Sequence, residues 1–226
     1  MVNPYYYANF FYNIDSLGRI SLSIDEVINI AEIFAAVIDN TSRFTARHSR
    51  SVSIAAQFMA QNKGYSTEEV KMMRVAGLLH DLGKLAVPNE ILEKPGKLTA
   101  DEFTIIKQHP YYTYRILEQI DGFATIAEWA AFHHETPDGA GYPFRIANQS
   151  LKLGSRIVAV ADVFAALTED RPYRPQMQWS KVEKIMCSMV ANRKLDANIV
   201  ADLFSNRVEA FELMEDVNRS PMANIE

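Results

Sequence analysis

The feature that most constrains this chain is the octet Gly77-Leu78-Leu79-His80-Asp81-Leu82-Gly83-Lys84, a histidine and an aspartate side by side in an apolar run that otherwise reads as buried helix. Burying an imidazole and an ionised carboxylate among leucines is expensive unless something compensates them. A metal ion compensates both at once, by ligating a neutral ring nitrogen and a carboxylate oxygen. The competing account is a hydrogen-bonded core histidine beside a helix-terminal aspartate. The octet alone admits both.

The other histidines favour the metal. The chain has five: His48, His80, His109, His133 and His134. His109 precedes Pro110, and His133-His134 follow the run Trp129-Ala130-Ala131-Phe132. Asp162 interrupts a second apolar run, Ile157-Val158-Ala159-Val160-Ala161-Asp162-Val163-Phe164. Scattered surface histidines would not lie beside runs that want burial. Cys187 is the sole cysteine and reads as a small buried hydrophobe within Ile185-Met186-Cys187-Ser188-Met189. A disulfide or thiolate cluster within one chain is thereby excluded, and a reducing cytoplasm fits. The metal set must be imidazole, carboxylate and water, which suits iron, manganese or zinc.

A length of 226 residues fits one globular domain with a short N-terminal appendage. The net charge of −5 argues against a binder of nucleic-acid polymers or anionic membranes. A small anionic ligand stays open, because local cations and a metal override the global sign. No signal peptide and no apolar stretch long enough for a membrane span is visible.

The organisation expected is an aromatic lead-in over 1–22, carrying Tyr5-Tyr6-Tyr7 and Phe10-Phe11-Tyr12, then one domain over 23–226. Ser23 caps a helix on which Val27, Ile30, Ala31, Phe34 and Ile38 follow helical spacing. Thr41 or Ser42 starts the next, which carries His48. Capping boxes at Ser66–Glu69 and Thr99–Glu102 open two more, the first stopped by Gly83 and the second reaching His109. Pro88 starts a short helical turn, and Pro110 breaks or restarts the chain after His109. A helix after Gly122 runs to His134. Thr136–Pro143, with two glycines and two prolines, is a rigid loop. Lys152–Leu167 is helical, Arg171–Pro175 is a second stiff loop, Ser180–Met189 is helical, and Asp196 caps a last helix ending near Glu215. Nothing alternates as a strand does, so the fold expected is all-α.

Seven candidate ligands spread over five helices, with an aspartate among them able to give one oxygen to each of two ions, suggest a two-metal site. Two ions roughly 3.5–4 Å apart trap a hydroxide and stabilise both the attacking and the leaving oxygen in phosphoester cleavage. Cations for a phosphate are at hand in Lys84, just past the His80-Asp81 pair, and in Arg171 and Arg174 after Asp162, whose guanidinium forks match phosphate oxygens.

These residues, in this order, resemble an HD-GYP domain of the HD phosphohydrolase superfamily. The likeness covers about residues 30 to 190. It rests on His48, His80-Asp81-Leu82-Gly83-Lys84, Val87-Pro88, Lys94-Pro95-Gly96-Lys97-Leu98, His109-Pro110, His133-His134-Glu135, Asp138-Gly139-Ala140-Gly141-Tyr142-Pro143, Asp162 and Arg171-Pro172-Tyr173-Arg174. The bare histidine–aspartate doublet is unspecific, whereas the doublet followed by the Gly-Tyr-Pro loop is highly specific. The resemblance implies an HD-superfamily helical bundle with that loop beside a centre of two divalent metal ions, iron or manganese. It implies hydrolysis of cyclic di-GMP to linear pGpG, and on to GMP, through a metal-bridging hydroxide. Under it, His48, His80, Asp81 and Asp162 hold one metal, and His109, His133 and His134 the other, with Asp81 bridging. Asp81 and Lys84 are the catalytic candidates. Lys84, Arg171 and Arg174 grip phosphate, and Gly141, Tyr142 and Pro143 wall the substrate cleft.

Two departures stand out. Trinuclear members carry a glutamate where this chain has Phe44, so two metals are expected. An aspartate common in the family is Ala165 here, which bears on substrate positioning. The alternatives are a cyclic di-GMP receptor without turnover and a phosphodiesterase preferring cyclic GMP-AMP. Oxygenases and monomer-nucleotide phosphohydrolases of the superfamily fit the Gly-Tyr-Pro loop less well. The partners implied are the cyclic dinucleotide and diguanylate cyclase (GGDEF) domains. The aromatic lead-in adds a homodimer or an upstream sensory domain.

Overall fold

The structure is a computed structural model that describes residues 20–40, 47–147, 149–170 and 175–219. Among the described residues every regular element is a helix. Helix α1 (Ile24–Asn40) opens on a reciprocal box: the Ser23 N–H donates to Glu26 Oε2 at 2.8 Å, and the Glu26 N–H to Ser23 Oγ at 3.4 Å. Its buried stripe is Ile28, Ala31, Ala35 and Ile38, rotated by about one position from the stripe expected. Ile30 and Phe34 are 42% and 47% exposed. The helix carries apolar residues on two faces, so spacing alone could not say which face meets the core.

Helix α2 (His48–Asn62) takes its cap from a distance. The Ser49 N–H and hydroxyl donate to the Asp39 carboxylate on α1 at 3.2 and 2.8 Å, satisfying a donor of the first turn. The starts proposed at Thr41 or Ser42 lie outside the described residues, as do Phe44 and residues 1–19 of the lead-in. Helix α3 (Thr67–Leu79) has the full Ser66–Glu69 box. It ends at Leu79, four residues before the stop expected, and the chain continues through Asp81 into a 3-10 helix over Leu82–Ala86. Gly83 is therefore no helix terminator. A side chain there would run into the His109 backbone, and its N–H donates to Thr113 Oγ1 at 2.9 Å. The glycine serves close packing.

Helix α4 (Asn89–Leu92) begins after Pro88, and α5 (Ala100–Ile106) has the Thr99–Glu102 box. Helix α5 stops short of His109, which instead opens α6 (His109–Leu117) with Pro110 in the first turn, where the missing N–H costs nothing. Helix α7 (Ala124–Ala131) ends before the histidine pair expected at its terminus, leaving His133 and His134 in the following turn. Helices α8 (Leu153–Thr168) and α9 (Trp179–Ala191) follow. On α9, Val182 and Met186 face inward, and Cys187, one residue and about 100° further round, is exposed rather than buried. The single last helix expected is two, α10 (Ala197–Ser205) capped by Asp196 and α11 (Arg207–Arg219), broken at Asn206.

Helix α2 lies between α3 and α8, and α7 packs against α3, α6 and α8. Alanines at the contacts (Ala55, Ala56, Ala76, Ala127, Ala130, Ala161, Ala165) are essentially unexposed. Their small side chains bring the backbones close, which draws the helix ends carrying the histidines toward one point. No described helix is long and apolar enough to cross a membrane.

Candidate metal centre

Four of the five helices that supply ligands do so from an end. His48 is the first residue of α2 and His109 the first of α6, while His80 and Asp81 follow the last turn of α3. His133 and His134 follow α7, and only Asp162 comes from mid-helix, on α8. Their donor atoms form two triads, His48–His80–Asp162 and His109–His133–His134, joined by a third set, His80–Asp81–His133, each with its atoms within 4.8 Å of one another. Asp81 lies between them. Its Oδ2 is 3.2 Å from His80 Nε2 in one triad, and its Oδ1 is 3.2 Å from His109 Nε2 in the other. The arrangement presents one carboxylate oxygen to each side.

The ring orientations are held from behind. His80 donates Nδ1–H to the Gly77 carbonyl at 2.8 Å, His109 to Ile106 at 2.8 Å, and His133 to Ala130 at 2.7 Å. Each carbonyl lies three residues back, an orphan acceptor of a helix end. This fixes the tautomer and turns the Nε2 lone pair into the site. His109 Nε2 and His133 Nε2 then face each other at 3.4 Å, lone pair to lone pair. Such a pair is repulsive by itself and favourable around a cation, so the donor set fits divalent metal ions.

His48 differs. Its Nε2 is 3.0 Å from Asp162 Oδ1, and its Nδ1 is 3.3 Å from Glu169 Oε2. Glu169 is buried, at the C-terminal cap of α8. It completes a carboxylate–histidine pair of the kind that raises ligand basicity.

Burial opposes charge throughout the site, and the pairings decide which groups keep it. Burial pushes the Asp81 carboxyl up, but His80 and the Lys84 ammonium hold it well below the usual carboxylate range. Burial likewise opposes the Asp162 charge, and the hydrogen bond and charge of His48 overcome it. Burial would lower His48, yet Asp162 and Glu169 lift it to about 10. In the other triad burial keeps His133 well below its ordinary value and brings His134 down to about 3. One triad pairs a carboxylate with imidazoles and the other holds imidazoles alone.

Lys84 Nζ is 2.5 Å from Asp81 Oδ2, beside the bridging position. The Gly-Tyr-Pro loop lies against the histidine turn. A Cβ on Gly141 would sit 2.5 Å from Glu135 Cα, and the Tyr142 N–H donates to the His134 carbonyl at 3.2 Å. The Tyr142 and His134 rings are 4.7 Å apart, centre to centre. Burial, with Asp162 and Asp81 adding to it, pushes the Tyr142 hydroxyl up, so it stays protonated. Arg171 and Arg174 lie outside the described residues.

All seven residues expected to bind metal are therefore brought together. Two buried carboxylates escaped the sequence reading as participants. Glu169 follows Asp162 by seven residues, two helical turns along one face, a signal that could have been used. Glu135 was part of the quoted motif, but only the fold shows its three backbone partners, described below.

A family profile for the HD domain matches residues 32–199. The chain is 39% identical over 192 residues to "3'3'-cGAMP-specific phosphodiesterase 1" of Vibrio cholerae, covering 85% of this chain and 44% of that protein. It is 43% identical over 136 residues to the cyclic di-GMP phosphodiesterase response regulator RpfG of Xanthomonas campestris, covering 59% of this chain and 35% of that protein. The chain spans less than half the length of these relatives. Among solved structures, the HD domain of the L. monocytogenes phosphodiesterase PgpH in complex with cyclic di-AMP superposes with a TM-score of 0.53 at 16% identity, covering 83% of this chain and 92% of that one. A Bdellovibrio bacteriovorus protein described as an HDG"Y"P protein gives 0.53 at 17% identity, over 77% of this chain and 52% of that one. At such identities the likeness shows the fold alone.

Proposed function

Because this chain belongs to the HD domain family, in its HD-GYP branch, we propose that it is a metal-dependent phosphodiesterase that hydrolyses cyclic di-GMP to linear pGpG. The observation that carries the reading is Asp81, with one oxygen turned to each triad. On this reading His48, His80, Asp81 and Asp162 hold one divalent ion, and Asp81, His109, His133 and His134 a second, iron or manganese. When bound, such ions supply Lewis-acid charge and a nucleophilic water at neutral pH.

The remaining work falls to the chain. Asp81 fixes the spacing of the two halves and is itself kept ionised by His80 and Lys84. Burial opposes the Lys84 charge, but Asp81 raises its pKa, so the ammonium keeps its proton and acts as a charge beside the phosphate rather than as a base. Arg171 and Arg174 are proposed as further phosphate contacts, and Tyr142, with Gly141 and Pro143, as the wall of the cleft. Water adds at phosphorus, the P–O3′ bond breaks, and the 3′ oxygen leaves with a proton. A second cut gives GMP.

A second substrate is favoured by a specific observation: relatives 39% and 37% identical are named for 3'3'-cGAMP. A receptor without turnover fits less well, since no ligand is missing. Diguanylate cyclase (GGDEF) domains, a homodimer and an upstream sensory domain are proposed as partners, with the cytoplasm as the compartment. The test is protein purified without oxygen, loaded with Mn²⁺ or Fe²⁺, and given cyclic di-GMP and 3'3'-cGAMP in parallel. Linear product that disappears in His80→Ala supports the reading. Metal bound near two per chain with both substrates intact after hours refutes it.

A further inference from the structure

Glu135 is 1% exposed, and its carboxylate does a single thing. It accepts three consecutive backbone N–H groups: Phe144 and Arg145 at 2.7 and 3.0 Å on Oε1, and Ile146 at 2.9 Å on Oε2. Three successive amides can point at one carboxylate only if the chain curls around it, and the curl is visible at Arg145, whose φ of 56° is left-handed. Arginine has no side-chain reason to adopt that conformation, so the surroundings impose it. Glu135 directly follows His133-His134, and the segment it grips directly follows Gly141-Tyr142-Pro143.

Resting on the phosphodiesterase reading above, we propose that Glu135 is a positioning residue that ties the substrate wall to the metal ligands. Its carboxylate sets the height of the turn 142–146 over the histidine pair, so that the Tyr142 ring stays beside His134 and meets a nucleobase in a preformed place. The coupling has three strands: the Gly141 backbone against Glu135, the Tyr142 N–H on the His134 carbonyl, and the Glu135 carboxylate on residues 144–146. The first two hold the near side of the loop. The third holds its far side by the backbone, where the Phe144 ring also packs against those of Phe132 and Tyr114.

Replacement by glutamine is the sharp probe. The amide oxygen can still accept two N–H groups, but the amide nitrogen would then face the Ile146 N–H, donor against donor. The metal ligands keep their own hydrogen bonds. Glu135→Gln is therefore expected to bind metal as the parent does, and to hydrolyse bis(4-nitrophenyl) phosphate, which needs no wall, within about 2-fold of it. On the cyclic dinucleotide kcat/KM falls by about 10- to 100-fold, mostly through KM, as a misplaced contact surface dictates. Amide exchange at residues 144–146 speeds up by about 10-fold or more. Tyr142→Ala should reproduce the KM effect with those amides still protected. Glu69→Gln, which weakens a carboxylate-to-amide cap at the far end of α3 from His80, should change neither substrate.

Unchanged dinucleotide kcat/KM in Glu135→Gln overturns the proposal. So does equal loss of metal and of both substrates, which is the mark of a merely structural residue. If the parent protein cleaves no cyclic dinucleotide, the phosphodiesterase reading fails, and amide exchange still decides whether Glu135 holds the turn.

Discussion

Gly83→Ala is the perturbation that most directly tests whether the two halves of the centre depend on one another. A Cβ at residue 83 would overlap the His109 carbonyl oxygen and lie 2.8 Å from both the His109 carbonyl carbon and the Thr113 nitrogen. Ordinary contact begins near 3.4 Å, so even the milder pair demands a shift of at least 3.4 − 2.8, about 0.6 Å. The element that must yield is the first turn of α6, which carries His109. It is tied to the α3 end through Thr113, whose Oγ1 accepts the Gly83 N–H at 2.9 Å and donates to the His80 carbonyl at 3.1 Å. Metal–ligand distances tolerate about 0.2 Å, a third of that shift. His109 would leave its place opposite Asp81 Oδ1, while His48, His80 and Asp162 stay on α2, α3 and α8. Overpacking of this kind costs about 1–3 kcal/mol. If the proposed two-metal phosphodiesterase reading holds, the expected result is a folded protein with a lowered Tm, metal content falling from near two per chain toward one, and that activity lost. Metal analysis after anaerobic purification, beside a thermal melt, reads both. A variant that keeps two metals and the parent Tm would show that the close approach at Gly83 does not set the His109 position.

Two further outcomes follow from the electrostatics. Glu169→Gln removes the charge behind His48 while keeping an acceptor, and should weaken binding in the His48–His80–Asp162 triad by about 10- to 100-fold, read by metal titration, with the other triad unaffected. Equal weakening of both triads would contradict a local role. The metal-free protein should lose stability in acid. The folded value of His134 lies below its ordinary 6.5, at about 3, so the unfolded chain binds the proton first. Its contribution is complete above pH 6.5 and drains away as pH falls toward 3. By pH 4.5 the loss is roughly 3 kcal/mol. Urea melts of the chelated protein between pH 7.5 and 4.5 measure it, and His134→Ala should flatten that limb. An unchanged slope in the variant would refute the assignment.

The Ser23 cap, the capping boxes at Ser66 and Thr99 and the Asp196 cap were legible because each rests on residues three or fewer apart. The seven metal-site residues were legible because polar groups beside apolar runs must be compensated. Local signals failed where a neighbour in space decided. Gly83 reads as a helix stop and is a contact point, and Cys187 sits in an apolar run yet faces out. Helix α1 offers two apolar faces, and only packing chose Ile28 and Ala35 over Ile30 and Phe34.

By itself, then, the sequence determined that this chain is helical and that its imidazoles and aspartates, set beside apolar runs, need compensation. Tertiary structure alone decided how they meet. Placing one oxygen of Asp81 toward each triad, Glu169 behind His48, and Glu135 under residues 144–146 requires helix ends far apart in the chain to meet. No local spacing encodes such meetings. They follow from small side chains letting α2, α3, α7 and α8 pack closely, and from buried polar groups that had no other partners to find.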